Sequence, residues 1–221
     1  MTPRLLVVGV PGSLREGSRT RAAVEVALRG AEAAGAETQL ADLREYDLPL
    51  CDGTGELARY HAGLLELRKL LTRARGVVLG TPEYHGGPSG VLKNALDLMG
   101  FPEFEGKVLG LLAVSEGPGG GRHALDALAH VGQALHAWVL PARVAVPDAA
   151  RVFDAAGGVS DAAVEAALLE VGRAVARLAA LRAGPPEEFL REWERLVPNP
   201  GADNDVRPIE RGGASGHARP S

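Results

Sequence analysis

Three apolar runs, residues 5–10 (Leu-Leu-Val-Val-Gly-Val), 76–80 (Gly-Val-Val-Leu-Gly) and 108–114 (Val-Leu-Gly-Leu-Leu-Ala-Val), are continuous rather than alternating. A strand with one wet face alternates, whereas a strand covered on both faces is apolar throughout. The runs therefore predict central strands of a parallel sheet. Ala- and Leu-rich stretches of helical length lie between and after them, at about 18–34, 56–74, 87–100 and 120–136. This alternation implies right-handed βαβ crossovers. A second strand is expected near 37–43, and a fifth near 138–146, interrupted by Pro141 and closed by Pro147. A last helix over 161–182 repeats Val164, Leu168, Val171, Val175 and Leu178 at helical spacing, and Gly184-Pro185-Pro186 stops it.

Five strands and five helices result, occupying residues 1–184. Residues 185–221 are expected to form an extension: a short amphipathic helix at 187–196 carrying Phe189, Leu190 and Trp193, then a tail too poor in large apolar side chains to offset its ordering entropy. A chain of 221 residues with 46% hydrophobic content suits one domain plus such an appendage. A net charge of -4 gives no basic excess, which argues against nucleic acid or an anionic membrane as partner. No apolar run approaches the roughly 20 residues needed to cross a bilayer. The chain enters its first strand without the pattern of a secretory signal, so a cytoplasmic location is expected. Cys51 is the single cysteine, and the six His are dispersed. Neither a disulfide nor a metal site is expected. Asp161, Glu165 and Glu170 read as a solvated helix face, and Trp138 as core.

The chemistry concentrates where strands end. The first strand runs into Gly12-Ser13-Leu14-Arg15-Glu16-Gly17-Ser18-Arg19-Thr20, after which a helical pattern begins. Amides at a helix start lack intrahelical acceptors and sit at the positive end of the dipole, so a phosphate suits this position, with the hydroxyls and Arg15 adding donors and charge. The nucleotide-triphosphatase loop does not match, because Ser18 stands where Lys is required. The dinucleotide fingerprint fails too, since Gly9 is followed by Pro11 before Gly12. The plain alternative is a strand-to-helix turn in which Ser18 only caps the helix.

The third strand ends in residues 81–97, Thr-Pro-Glu-Tyr-His-Gly-Gly-Pro-Ser-Gly-Val-Leu-Lys-Asn-Ala-Leu-Asp. The pattern Thr-Pro-Glu-Tyr-x-Gly-x-x-x-Gly-x-Leu-Lys-Asn-Ala-Leu-Asp resembles the signature of the NADPH-dependent FMN reductase family. Gly-Ser-x-Arg-x-x-Ser at 12–18 resembles that family's phosphate loop. The resemblance spans about residues 4–182 and implies a flavodoxin-like three-layer sandwich, a five-stranded parallel sheet of order 2-1-3-4-5 with helices on both faces. It assigns Ser13, Arg15, Ser18 and Thr20 to the FMN phosphate, with Arg19 beside them, and Pro82, Glu83, Tyr84, His85, Gly86 and Gly87 to the isoalloxazine ring. Family members often carry Asn at the positions of Thr20 and His85. Glycines let the main chain approach a flat ring whose acceptors are best met by backbone donors. The alternative for this loop is a glycine-shaped turn with Pro88 opening the helix. A third loop, Ser115-Glu116-Gly117-Pro118-Gly119-Gly120-Gly121-Arg122, resembles a flavin-lining segment, which carries over Ser115, Gly117, Gly119 and Gly120.

The family likeness further implies FMN as cofactor, NADPH or NADH as co-substrate, and a ping-pong cycle delivering electrons to a small acceptor: a quinone, azo compound, chromate or free flavin. No side chain is then needed as catalytic acid or base, because the flavin carries the chemistry. A homodimer or homotetramer is implied too, with Leu98, Met99, Phe101 and Phe104 as candidate contact surface. The rival readings are a flavodoxin-type electron carrier, and a flavin-free phosphosugar or regulatory domain.

Overall fold

The computed structural model describes residues 5–53, 61–154 and 157–182. The 185–221 extension, and the first part of the helix expected from residue 56, lie outside these. Strands β1 (Leu6–Pro11), β2 (Glu37–Leu40), β3 (Gly76–Tyr84) and β5 (Val108–Val114) are parallel neighbours in the order β2-β1-β3-β5. The expected fifth strand is two short pieces, β6 (Trp138–Val139) and β7 (Val144–Val146), which pair separately with the start and the end of β5. Pro141, lacking an amide, lies in the gap between them. A two-residue strand β4 (Gly87–Pro88) folds back antiparallel onto the end of β3. The predicted order thus holds, but the described sheet has seven strands where five were expected.

The helices are α1 (Arg19–Ala33), α2 (Ala62–Arg73), α3 (Gly90–Asp97), α5 (Arg122–Ala134) and α7 (Ala162–Leu181), with single-turn helices α4 (Phe101–Phe104) and α6 (Ala149–Val152) that periodicity could not reveal. Leu6, Val8 and Val10 of β1 pack with α2, α3 and α5, while Val7 packs with α1 and α7. Both faces being covered is why every residue of β1 and β5 is buried. Two expectations fail. Trp138 sits on a sheet edge, 49% exposed, with the Arg182 guanidinium 4.2 Å from its ring centroid. Phe104 is fully buried in the core, so of the proposed contact surface Phe101, 50% exposed, is the large side chain that remains outside.

Helices α1 and α7 touch backbone to backbone through two glycines. A Cβ on Gly172 would lie 1.7 Å from the Ala27 carbonyl oxygen, and one on Gly30 2.0 Å from that of Leu169. Alanine in a helix interior is ordinarily better than glycine by about 1 kcal/mol. Here the clash is with backbone, which cannot rotate aside, and overpacking costs of about 1–3 kcal/mol outweigh the propensity gain. Gly172→Ala is therefore expected to lower the thermal midpoint; a rise in calorimetry would show that the two helices separate freely.

Candidate functional site

Loops after β1, β3 and β5 meet at the carboxyl end of the sheet, where ligands of open α/β folds collect. They enclose an open cleft of about 320 Å³, within the range of small-molecule sites. Ser13, Arg15, Ser18, Arg19 and Thr20 line it from the first loop, Pro82, Glu83 and Tyr84 from the second, and Ser115 and Gly117 from the third. His85 and Gly86 stand at an exposed hairpin tip outside this lining, and Gly87 is in β4. Gly119 and Gly120 are also not part of the wall, and Gly120 packs against the chain at Ala145 and Pro147. Glu16, Gly17, Val114, Glu116 and Ala149 line the cleft without having been singled out.

At the phosphate-suited end, Ser18 caps α1, its Oγ accepting from the Arg21 amide at 3.2 Å. Capping consumes acceptor capacity only, so the hydroxyl proton can still be donated into the cleft. The amides of Arg19 and Thr20 open the helix and have no acceptor one turn back. Gly17 adopts φ +63°, a left-handed conformation that turns the loop toward the helix start and favours glycine. Among the described residues Arg15 is exposed and has no acidic partner. Arg21 is engaged by Asp42 at 3.2 Å and Glu25 at 3.1 Å. Asp42 is buried, and the hydrogen bond from the Arg44 side chain, at 2.5 Å, is the main reason its carboxyl titrates below the usual range. Arg19 pairs with Glu116 across the cleft.

The second loop owes its place to buried hydroxyls. Ser89 caps α3, accepting from the Leu92 amide at 3.2 Å, and donates to the Gly12 carbonyl at 2.5 Å. Its amide donates to Thr81 Oγ1 at 3.0 Å, and that hydroxyl donates to the Pro82 carbonyl at 2.8 Å. A Cβ on Gly12 would sit 2.6 Å from Leu92 Cβ, so glycine is what allows this approach. Since Ser89 is the cap, Pro88 does not open the helix. Tyr84, His85, Gly86 and Gly87 make a two-residue hairpin with positive φ at its centre, 52° at His85 and 77° at Gly86. Such turns prefer Asn-Gly, so His85 holds a position where its conformation is disfavoured. Glu83 accepts from the Ala124 amide at 3.0 Å, in the first turn of α5. Asn94 of the same motif pins the 49–51 segment to α3, donating to the Pro49 carbonyl and accepting from the Cys51 amide, each at 2.9 Å. These positioning roles of Thr81, Ser89, Glu83 and Asn94 were not read from sequence. A serine directly ahead of the periodic apolar residues of α3 was the signal for one of them.

Among the described residues no helix is long and apolar enough to cross a membrane, and no group of three or more His, Cys, Asp or Glu side chains is arranged to hold a metal ion.

A doubly wound parallel sheet with helices on both faces and an open cleft among the loops at its strand ends defines a flavodoxin-like α/β domain. The structure of FerB, a flavoenzyme NAD(P)H:(acceptor) oxidoreductase from Paracoccus denitrificans, shares that fold with a TM-score of 0.67 at 22% identity, covering 81% of this chain and 99% of that one. The family model for NADPH-dependent FMN reductase matches residues 5–151, and the chain belongs to that family. Among curated relatives, an NADPH azoreductase from Bacillus sp. (strain OY1-2) is 45% identical over 92 residues, which is 42% of this chain and 51% of that one. The NADPH-dependent FMN reductase ArsH of Shigella flexneri is 33% identical over 162 residues, 70% of this chain and 61% of its own. The chain thus spans between half and two thirds of the length of these relatives.

Removing the Ser89 hydroxyl deletes a helix cap, about 1 kcal/mol, and leaves the Gly12 carbonyl without its buried donor, about 1–3 kcal/mol. Ser89→Ala is expected to lose about 2–4 kcal/mol in urea unfolding. A loss under about 0.5 kcal/mol would mean the Gly12 carbonyl has another partner.

Proposed function

We propose that this chain is an FMN-dependent NAD(P)H oxidoreductase that reduces a small acceptor such as a quinone, an azo compound, chromate or free flavin. The observation that carries the reading is the convergence, on one open cleft, of a helix start, a guanidinium with no acidic partner among the described residues, and Pro82 and Tyr84. The donor set fits FMN: the hydroxyls of Ser13, Ser18 and Thr20, the amides opening α1 and Arg15 suit a phosphate dianion. Pro82 and the half-exposed Tyr84 offer apolar surface for a flat ring. Relatives named as an NADPH azoreductase and an NADPH-dependent FMN reductase support the same reading.

When bound, FMN supplies the hydride-accepting and electron-donating chemistry. The chain's part is position and charge. Arg15 would offset part of the phosphate charge, and the hydroxyls would donate hydrogen bonds to it. Glu83 is committed to the Ala124 amide and orients the third loop rather than acting as a base. The half-exposed Tyr84 in the cleft wall would flank the ring and help to hold it in place. We further infer a homodimer or homotetramer acting in the cytoplasm, with the exposed Phe101 among its contacts. The carrier reading is weaker, because the modest net charge of -4 offers a protein partner little steering.

Purified chain is expected to be yellow, or to gain thermal stability with added FMN, and to bleach on anaerobic addition of NADPH. A yellow protein that NADPH leaves oxidised would establish the carrier instead, and a colourless one indifferent to FMN would remove flavin altogether. Arg15→Ala is expected to weaken FMN binding by about 1–3 kcal/mol, the scale of a charge-assisted hydrogen bond. Unchanged affinity would take Arg15 out of the phosphate site.

A further inference from the structure

Three guanidinium groups stand around the start of α1, and two of them are already engaged. Arg21 is held by Asp42 and Glu25, both outside the cleft lining. Arg19 is different, because its acid partner Glu116 belongs to the third loop and lines the cleft with it. The other Glu116 oxygen accepts from the Ala150 amide at 3.2 Å. That second bond anchors the carboxylate in place whether or not the guanidinium stays. The side chains of Arg19 and Glu116 are 36% and 60% exposed, so water can screen and exchange the pair.

We propose that Glu116 is an internal competitor of the flavin phosphate: by holding Arg19 and fixing a negative charge in the cleft wall, it sets how tightly and how selectively a phosphorylated flavin is retained. The inference rests on reading the cleft as an FMN site. An entering phosphate meets Arg15 free, Arg19 neutralised, and a carboxylate that repels it. To recruit Arg19, it must displace a charge-assisted bond of the same kind it would form, so little is gained from the exchange. The amide and hydroxyl donors are unaffected by this competition, which confines the penalty to charge. The device keeps FMN exchangeable and narrows the preference for FMN over riboflavin, a property suited to a chain that handles flavin reversibly.

The test is fluorescence titration of FMN and of riboflavin against flavin-free wild type, Glu116→Gln, Arg19→Gln and the double variant, with far-UV circular dichroism confirming that each is folded. Glu116→Gln is expected to tighten FMN about tenfold, the scale of one nearby charge at a partly solvated site, with riboflavin changed less than about twofold. Arg19→Gln alone, which leaves the Glu116 carboxylate uncompensated, is expected to weaken FMN binding at least about threefold, and the double variant to return to within about threefold of wild type. The FMN gain should also shrink as salt is raised. Unchanged or weakened FMN binding in Glu116→Gln, or an equal gain for riboflavin, overturns the proposal while leaving the FMN reading intact. A wild-type chain that binds neither flavin overturns that reading, and this proposal with it, through a different observation.

Discussion

The Ser89 hydroxyl, 1% exposed, joins two loops that lie 77 residues apart in sequence. It can do so because Gly12 brings its backbone against Leu92, where any side chain would collide. A buried hydroxyl that caps one helix and satisfies the carbonyl of a neighbouring loop ties the position of that loop to the helix axis, and either bond alone would leave the other loop free to drift. Glu83 then ties the second loop to the third through the Ala124 amide, and Arg19 with Glu116 ties the third back to the first. The cleft is thus bounded by loops joined pairwise. Its shape depends on side chains that hold backbone to backbone at least as much as on those that face a ligand.

Continuous apolar runs were enough to read the parallel sheet, because burial on both faces leaves a compositional mark that a single-faced strand lacks, whereas its order came with the family resemblance. The same signal could not count short pieces. Strands β6 and β7 are split around a segment containing Pro141, and α4 and α6 are single turns, too brief for periodicity to register. Trp138 misled for a related reason. An aromatic residue in an apolar stretch is core only if the strand has neighbours on both sides, and edge position is a property of the assembled sheet. Arg182 covers the exposed ring from the end of α7, a contact that no local pattern encodes.

The site was legible as three loops and less so as individual contacts. Ser13, Arg15, Ser18, Arg19 and Thr20 sit together because a helix start presents consecutive residues to the same point, so motif and geometry coincide there. The later motif is a hairpin, where successive residues point in different directions. Pro82, Glu83 and Tyr84 therefore reach the wall, while His85 and Gly86 turn away at the tip. Glu116 escaped attention because a carboxylate in a site read as suited to an anion contradicts simple charge complementarity, and its cationic partner comes from 97 residues away.

Two acids in this wall, Glu83 and Glu116, differ in what holds them, and the difference separates framework from function. Glu83 is bonded to a backbone amide in the first turn of α5, and releasing it would strand that amide and loosen the third loop. Its negative charge is also favoured by the α5 dipole, so it is a fixed part of the frame. Glu116 keeps one such bond, to Ala150, but spends its other oxygen on a guanidinium that is 36% exposed to water. A contact of that kind is displaceable by another anion of equal strength, whereas a cap is not. Fixed acids define the shape of the cleft, and an exchangeable one is where the proposed retention of an anion would be tuned.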